Sequence, residues 1–368
     1  MEVKNVSEGD IKLIVPKGRP WDSAVFYNPE AEINRDISVA SLSVFSSGFN
    51  GKITVLDGLS GTGIRGLRYG KEIGVKSVLN DDNPKAVGLI KKNIALNRLG
   101  KFCKASKGDA NLLMRKKVFN VIDLDPFGSP MQFLDSAARS IYHKGMLAVT
   151  ATDTGALNGV YPPAGLRKYG LQLEKTDFYT EVGVRALATA IILACAKYDK
   201  AFVPLLSFAQ SHYYRVFGKI ENSGKIEGLL KEIKFVSYCK KCGWRSTTKQ
   251  SVCGNCKYNT VIFGPLFTGK IQDRDFCSSV LSFLRENTYK NKRFETALLE
   301  KLIKESEIPQ FYYELSFIFK GKELKPIETI IEALRKKGFA AERTHFSPTG
   351  IKTTAGLKEL KIYLRSLS

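Results

Sequence analysis

The sequence of 368 residues contains no apolar run long enough to cross a membrane, and it has few acidic residues for its length. A helix that spans a bilayer needs roughly 20 consecutive apolar residues. The first 20 residues also lack the apolar core of a secretory signal. We therefore expect a cytoplasmic protein with no membrane partner, and no feature of the sequence indicates an obligate protein partner.

Against 36 acidic residues stand 57 lysines and arginines, which give a formal net charge of +21. Such an excess attracts a polyanion, because basic side chains release the counterions that surround nucleic acid. Basic residues also alternate with aromatic ones at 213–217 and 289–294. We predict a nucleic-acid partner; the alternative is a charged surface that serves solubility or thermal stability.

Apolar strand segments alternate with helical segments over the first 220 residues. The predicted strands are 52–57, 75–80, 102–106, 119–124, 145–150 and 201–208, and the predicted helices are about 64–72, 83–99 and 186–196. Alternation at this spacing is typical of βαβ units that build a parallel sheet. We predict an α/β fold with an N-terminal extension over residues 1–220.

The pattern changes after residue 220. Residues 221–269 are rich in loop formers and hold four clustered cysteines, which predicts a separate zinc-ribbon segment. Residues 270–368 form a basic region of helices and short strands, for which we predict an α+β domain that binds the nucleic acid. Its order after residue 315 is helix, turn, helix and strand, as in winged-helix domains.

A glycine-rich turn follows the first predicted strand of the sheet. It reads Asp57-Gly58-Leu59-Ser60-Gly61-Thr62-Gly63, and Gly66 completes a dinucleotide-like pattern. Glycines let the backbone approach a ligand, and the following helix N-terminus supplies N–H donors. A carboxylate ahead of the glycines would repel a pyrophosphate, so Asp57 favours a cationic ligand such as the α-ammonium of S-adenosylmethionine.

Two further acids follow the next two strands. Asp81 closes the second strand, where a carboxylate commonly accepts the two hydroxyls of a ribose. Asp109 follows the third strand, where it could accept a hydrogen bond from an adenine amino group. Each acid could instead cap a helix. Three acids after three successive strands nevertheless favour a nucleoside cofactor.

The fourth strand runs into Asp125-Pro126-Phe127-Gly128. Pro126 cannot continue a strand, so the chain turns at the carboxyl end of the sheet, where open α/β folds bind ligands. A carboxylate to accept an N–H, an aromatic face and a glycine suit chemistry on a nucleobase amine. The alternative is a plain strand terminator, since Asp and Pro are common turn residues.

These motifs together resemble the tRNA guanine-N2 dimethyltransferases that act at position 26 of tRNA, a class I methyltransferase family with a Rossmann-like sheet. The strings that carry the resemblance are Asp57-x-x-x-Gly61-x-Gly63, Asn80-Asp81, Asp109-Ala110, Asp123-Leu124-Asp125-Pro126-Phe127-Gly128-Ser129-Pro130, Phe26-Tyr27-Asn28-Pro29, Asn34-Arg35-Asp36, Thr150-Ala151-Thr152-Asp153 and the stretch 344–353 (THFSPTGIKT). The resemblance spans nearly the whole chain, and it implies tRNA as substrate and S-adenosylmethionine as methyl donor.

The resemblance also implies residue roles. The residues that would hold the cofactor are Arg35, Arg65, Asp81, Asp109 and the backbone of Ala110, beside the glycine turn. Asp125 would hold the guanine amino group, and Phe26 and Phe127 would lie on either side of the base. Arg35 and Arg65 could alternatively be ordinary surface charges.

Cys239-x-x-Cys242 and Cys253-x-x-Cys256 are separated by ten residues. Two such knuckles supply four thiolates to tetrahedral zinc, and four protein ligands leave no open position, so the predicted zinc is structural. Two disulfides are the alternative, which a reducing compartment disfavours. The other cysteines, Cys103, Cys195 and Cys277, are isolated in apolar surroundings and are expected to be inert.

Three alternatives to a tRNA methyltransferase remain at this point. The first is an amino-methyltransferase that acts on another base of RNA or DNA. The second is a non-catalytic RNA-binding protein with a decayed cofactor fold, which the intact acids after four strands argue against. The third is an NAD-dependent oxidoreductase.

Overall fold

The centre of the fold is a seven-stranded, mostly parallel sheet with helices on both faces. The computed structural model describes residues 2–19, 22–320 and 325–365. Its strands are β1 (Val3–Glu8), β2 (Ile11–Pro16), β3 (Thr54–Asp57), β4 (Lys76–Asp81), β5 (Cys103–Lys107), β6 (Phe119–Leu124), β7 (Ile141–Ala151), β8 (Ala201–Gln210), β9 (Tyr213–Glu221), β10 (Ile233–Tyr238), β11 (Arg245–Ser246), β12 (Val261–Phe267), β13 (Tyr313–Glu314), β14 (Ala341–Arg343) and β15 (Gly350–Thr353).

The helices cover both faces of the sheet and recur through the C-terminal third. They are α1 (Glu32–Ser47), α2 (Ile64–Arg68), α3 (Pro84–Leu96), α4 (Ala110–Lys116), α5 (Met131–Ser140), α6 (Thr154–Leu157), α7 (Pro162–Tyr169), α8 (Tyr179–Ala196), α9 (Ile226–Lys231), α10 (Arg274–Glu286), α11 (Lys292–Glu305), α12 (Leu315–Ile318), α13 (Ile327–Lys336) and α14 (Leu357–Arg365). The predicted helix at 83–99 ends earlier than expected, at Leu96, because Arg98 adopts a left-handed conformation with φ 54°.

The strand order of the central sheet is β5-β4-β3-β6-β7-β9-β8. The five strands from β5 to β7 are parallel, and β9 runs antiparallel between β7 and β8. The six predicted strands are therefore present, in the α/β class that the sequence indicates. Strand β9 was missed, because its residues 213–217 were interpreted as part of a nucleic-acid surface.

That interpretation of residues 213–217 was wrong. Arg215 and Phe217 are fully buried and Tyr214 is nearly so. The alternation of basic and aromatic residues arises because β9 lies inside the sheet, where Arg215 faces buried carboxylates.

The sheet separates two apolar layers. Val55 packs with α1, α10 and α11 on one face, whereas its neighbour Leu56 packs with α5 and α8 on the other. This alternation follows from the period of two in a strand, and burial on both faces explains the continuous apolar runs. Helices α10 and α11 thus share a core with α1; the division at residues 220 and 269 stays a prediction.

Helix α8 is, among the described helices, the one whose length and hydropathy would permit a membrane span, but 78% of it is buried inside the protein. Its residues Val184 and Leu187 lie in the apolar layer beneath β7. We therefore assign α8 to the core of the α/β fold, which is where long apolar helices of this kind pack.

The C-terminal third folds back on the amino end of α8 and on β8. Glu181 in α8 pairs with Arg185 and with Lys352 of β15, and all three are buried. Glu305 at the end of α11 accepts hydrogen bonds from the Thr344 hydroxyl and from the backbone and ring of His345. The string 344–353 is therefore held by buried carboxylates.

We expect acid to destabilise the protein partly through Glu305. Burial alone would raise the pKa of Glu305, but the facing His345 and Lys352 outweigh burial and lower that pKa to about 2. The unfolded value is about 4.3, so this stabilisation is present above that pH and is lost as pH falls towards 2. Glu305→Gln should cost about 3–5 kcal/mol at pH 7 and less at pH 3.

The measurement is urea unfolding of the wild type and Glu305→Gln at pH 7, 5 and 3. The control is Glu300→Gln, which removes a half-exposed partner of Arg285 and should change little. A Glu305→Gln deficit that is the same at all three pH values would contradict the assignment.

Candidate active site

Acidic residues lie at the ends of five adjacent parallel strands, at one edge of the sheet. Asp57 and Asp81 are the last residues of β3 and β4, and Asp109, Asp125 and Asp153 follow β5, β6 and β7 respectively. The carboxyl ends of parallel strands meet at the same edge, so the fold gathers the predicted residues as the sequence indicates. Their contacts differ. Some of these carboxylates hold neighbouring backbone in place, and others are open to a ligand at the edge.

Asp81 holds the glycine turn against β4. Its two carboxylate oxygens accept the backbone N–H groups of Gly61 at 2.8 Å and Asn83 at 3.0 Å. Burial raises the pKa of Asp81. Gly61 has φ 55°, and a Cβ there would lie 2.9 Å from the carbonyl oxygen of Phe26. Gly63 has φ 83° and caps α2, so both positions require glycine.

Asp57 lies beneath the turn rather than at its surface. The carboxylate is 2% exposed, and it accepts the N–H of Gly66 at 3.0 Å in the first turn of α2. Burial raises its pKa to about 7. In this structure Asp57 therefore positions the start of α2, and an approaching ammonium group would meet the turn first.

Asp109 and Ala110 form the start of α4. The exposed Asp109 carboxylate caps this helix by accepting the N–H of Asn111 at 2.7 Å, as the alternative interpretation expected. A carboxylate has about four acceptor positions, so capping leaves Asp109 able to accept a ligand hydrogen bond. Ala110 is buried behind it.

Arg35 is buried and is paired with a residue that the sequence did not single out. Its Nε and Nη2 atoms lie 2.6 Å from the two carboxylate oxygens of Glu8, and Nη2 also reaches the carbonyl oxygen of Asn28 at 3.1 Å. Glu8 also pairs with Arg68. The hairpin β1–β2 therefore contributes to the site, and no motif around Glu8 signalled it.

Arg65 connects α1, α2 and the end of β6. Its Nη1 donates to Asn34 Oδ1 at 3.0 Å and to the Ser38 hydroxyl at 2.7 Å, while Nη2 pairs with Asp125. Its Nε lies 3.8 Å from Asp123. Burial would lower the pKa of Arg65, but these carboxylates raise it well above the ordinary value. Arg65 therefore stays charged and fixes the Asp125 carboxylate.

A second buried arginine supports the first. Arg215 Nη2 donates to Asp123 at 2.6 Å, and Nη1 donates to the Thr150 hydroxyl at 2.8 Å. Tyr69 also donates its hydroxyl to Asp123 at 2.6 Å. Burial would raise the pKa of Asp123, but Arg215 and Arg65 outweigh it and lower that pKa. Asp123 lies within the quoted motif, yet its role was not predicted.

Phe26 and Phe127 lie together at the edge, but not in the arrangement predicted. Their ring centroids are 4.3 Å apart and their planes meet at 89°. Rings on either side of a base would be parallel and roughly 7 Å apart, twice a contact of about 3.5 Å. Phe127 is 58% exposed, whereas its neighbour Gly128 is held by Thr152 at 2.6 Å. One ring must turn before a base enters.

Asp153 is already engaged with its own neighbourhood. It accepts hydrogen bonds from the Tyr169 hydroxyl at 2.6 Å and the Lys168 ammonium at 3.0 Å. These contacts tie α7 to the end of β7, so Asp153 is a positioning group for that segment.

The four cysteines converge in a separate cluster beside β10 and β11. Their sulfur atoms all lie within 4.8 Å of one another, with 3.5 Å between Cys239 and Cys256 and 3.6 Å between Cys242 and Cys253. Tetrahedral zinc with Zn–S bonds of about 2.3 Å requires sulfur separations near 3.8 Å, whereas a disulfide requires about 2.05 Å. The thiols are free, and the donor set fits a closed structural zinc site.

Comparison with known proteins identifies the family. Residues 4–365 match the family described as N2,N2-dimethylguanosine tRNA methyltransferase. The chain belongs to this family. A tRNA (guanine(26)-N(2))-dimethyltransferase of Methanosarcina acetivorans is 37% identical over the full length of both chains. One of Thermococcus kodakarensis is 38% identical, covering 96% of this chain and 97% of the relative.

A solved structure of the dimethyltransferase family has the same fold. The structure of Trm1 from Pyrococcus horikoshii in complex with S-adenosyl-L-methionine matches with a TM-score of 0.89 and 34% identity, covering 98% of this chain and 99% of that one. The resemblance inferred from the motifs is confirmed, as is the Rossmann-like methyltransferase fold.

We expect Arg215 and Asp123 to be coupled in this family member. Arg215→Met leaves the buried Asp123 carboxylate without its closest cation, which should cost about 3–5 kcal/mol of unfolding free energy. Asp123→Asn alone should also destabilise, because the buried Arg215 then loses its negatively charged partner. The double variant should cost less than the sum of the two. Denaturant unfolding of all four proteins provides the measurement, and additive losses would contradict the coupling.

We expect the purified protein to contain about one equivalent of zinc per chain. Cys253→Ser removes a buried ligand of the cluster and should lower both the zinc content and the unfolding midpoint. Cys195→Ser alters a buried thiol outside the cluster and should retain the metal. Elemental analysis of the three proteins tests this, and a wild type with far less than one equivalent would rule out the site.

Proposed function

We propose that this protein transfers one or two methyl groups from S-adenosylmethionine to the exocyclic N2 of guanine at position 26 of tRNA. The observation that carries this proposal is Asp125, a carboxylate that Arg65 holds beside the rings of Phe26 and Phe127 in a member of this family. We call the carboxyl ends of β3 to β7, where Asp125 lies, the catalytic edge. The net charge of +21 suits a polyanionic substrate. We place the reaction in the cytoplasm, where zinc thiolates stay reduced.

The methyl donor would lie along the edge formed by the glycine turn and the starts of α2 and α4. The residues we assign to it are Arg35, Asp57, Gly61, Gly63, Arg65, Asp81, Asp109 and Ala110. When bound, the donor supplies a methyl group on a sulfonium centre, which is a strong electrophile. Glycine at 61 and 63 lets the turn fold tightly against Phe26 and Leu79, and Asp81 and Asp109 retain acceptor positions.

Asp125 would act on the nucleophile. The lone pair of guanine N2 is delocalised into the ring, so the amine is weakly nucleophilic until its N–H is oriented. The Asp125 carboxylate would accept that N–H. As the N–C bond forms and the bond from the methyl carbon to sulfur breaks, leaving a neutral thioether, Asp125 would take the proton that N2 must lose. Arg65 fixes the oxygen that pairs with it, which limits the rotation of the carboxylate and preserves the line of attack.

A guanine within the folded tRNA must leave its stack to reach this edge. Extrusion costs a few kcal/mol, and stacking on an aromatic ring returns about 1–3 kcal/mol. The contact between Phe26 and Phe127 would open as the base enters, with Phe127 the more exposed of the two. For a second transfer, the monomethylated amine rotates so that its remaining N–H faces Asp125.

Replacement of Asp125 tests the assignment. We expect Asp125→Asn to reduce methyl transfer by roughly 10²–10⁴-fold, because the amide is a weaker acceptor and cannot take the proton. The affinity for S-adenosylmethionine, measured by calorimetry, should remain. The matched control is Asp153→Asn, which alters a carboxylate at the next strand end that is already engaged. Near-normal turnover of Asp125→Asn would remove Asp125 from the role.

The substrate is tested with two tRNA transcripts that carry guanine or adenine at position 26. Nucleoside analysis should find N2-methylguanosine and N2,N2-dimethylguanosine on the guanine transcript alone. Methylation of both transcripts would favour an amino-methyltransferase with another target, and cofactor binding without transfer to either would favour a binding protein.

A further inference from the structure

A cleft of about 270 Å³ opens beside the catalytic edge, between the α/β fold and the C-terminal string. It lies between α6, the first turn of α8, the turn that joins β8 to β9, and the residues around His345. Clefts at such boundaries are common ligand sites. The proposed cofactor and base contacts leave this one unassigned.

The cleft is close to the proposed base site. The Gly128 N–H donates to the Thr152 hydroxyl at 2.6 Å, and the Thr152 N–H donates to the Gly128 carbonyl oxygen at 3.0 Å. These two bonds join the Asp125 turn to the end of β7. Thr154 lines the cleft only two residues further on. Two residues of extended chain span at most about 7 Å, so the cleft wall begins within one nucleotide's reach of the catalytic turn.

The side chains that line the cleft suit a ligand whose contacting groups are uncharged, polar and aromatic. The lining presents the side chains of Thr154, Tyr179, Gln210 and Ser211, and no lysine, arginine, aspartate or glutamate occurs among the described residues that line the cleft. Tyr179 is 40% exposed, and the helix α8 that it begins has no side-chain cap at its N-terminus. Hydroxyls, an amide, a ring and helix N–H groups are the partners that a base and its ribose-phosphate require.

The walls of the cleft are fixed before any ligand arrives. The Tyr214 hydroxyl donates to Asn158 Oδ1, and His345 accepts the backbone N–H of Ala209 at 3.3 Å while its other nitrogen faces Glu305. A site with fixed walls loses less entropy on binding.

Ser211 supports a binding role. Its φ is 46°, in the left-handed region that favours glycine, although it lies at the exposed turn where glycine would be tolerated. A strained non-glycine residue at a cleft is a reason to look for function. The serine retains a hydroxyl at the cleft mouth, which glycine would lack.

We propose that this cleft binds one nucleotide of the tRNA strand next to the target guanosine, with its base against Tyr179 and its polar edge or ribose towards Gln210 and Ser211. This inference rests on the proposed function and extends it to a second subsite. The volume of about 270 Å³ is slightly below the range of about 300–1,000 Å³ for drug-sized ligands, which suits the base and ribose of one nucleotide. Binding the neighbouring nucleotide would hold the strand after the target base has turned out.

Photo-cross-linking tests the location without requiring catalysis. A benzoylphenylalanine introduced in place of Tyr179 should cross-link to unmodified tRNA within two nucleotides of position 26, as mapped by primer extension. The matched control is the same replacement at Tyr142, an exposed tyrosine near the opposite end of β7. Cross-links that map elsewhere, or equal cross-linking from the two positions, would overturn the subsite.

Kinetics tests the energetic role. Tyr179→Ala should raise the KM for tRNA roughly 5- to 150-fold, the range expected from loss of one base–aromatic stack. The kcat at saturating tRNA and the affinity for S-adenosylmethionine should stay within about twofold. Ser211→Gly should also raise the KM without lowering the unfolding midpoint, since glycine accepts the left-handed backbone.

A KM for tRNA that is unchanged in both Tyr179→Ala and Ser211→Gly would reject the subsite. The control Tyr142→Ala should leave this KM unchanged. Failure of the proposed function is distinguishable, because the wild type would then form no N2-methylated guanosine in the same assay. The cross-linking map would still report whether RNA occupies the cleft.

Discussion

The catalytic edge depends on two carboxylates that the chain places two residues apart and on the two buried arginines that bind them. Asp123 is the last residue but one of β6 and Asp125 directly follows the strand, so their negative charges would repel in a medium of low dielectric. Arg65 approaches both, and Arg215 binds Asp123 from the neighbouring part of the sheet. The carboxylate proposed to accept the guanine proton is thus oriented by charges that are themselves buried.

One of these arginines comes from the antiparallel strand that lies inside an otherwise parallel sheet. Arg215 reaches Asp123 because β9 pairs with β7, which in turn pairs with β6, and Thr150 of β7 accepts a hydrogen bond from the second nitrogen of its guanidinium. Burying such charges costs several kcal/mol per ion before their attraction is counted. We infer that the cluster is retained for geometry, since an apolar packing of equal volume would not orient Asp125.

The general position of the site could be predicted from the sequence, but its internal contacts could not. Strands ending in Asp57, Asp81 and Asp125 were recognisable because apolar runs, glycines and proline mark them, and parallel topology brings their ends together. Arg215 was misplaced because a basic residue between aromatics has the same pattern on a surface and in a buried strand. Glu8 was missed because its partner Arg35 is 27 residues away, and no local pattern encodes such a pair.

The segment that holds the cysteine cluster contacts helix α8, and through α8 it is connected to the catalytic edge. Arg245 of β11 pairs with Asp177 at 2.8 Å and lies 4.2 Å from the ring centroid of Phe178, the residue before α8. Further along, Arg185 of α8 donates to the carbonyl of Phe267 at 2.9 Å. The cysteine segment therefore clamps α8 at its start and middle. Since Tyr179 begins that helix and lines the cleft, a metal that orders the segment also fixes the wall on which we place the second nucleotide.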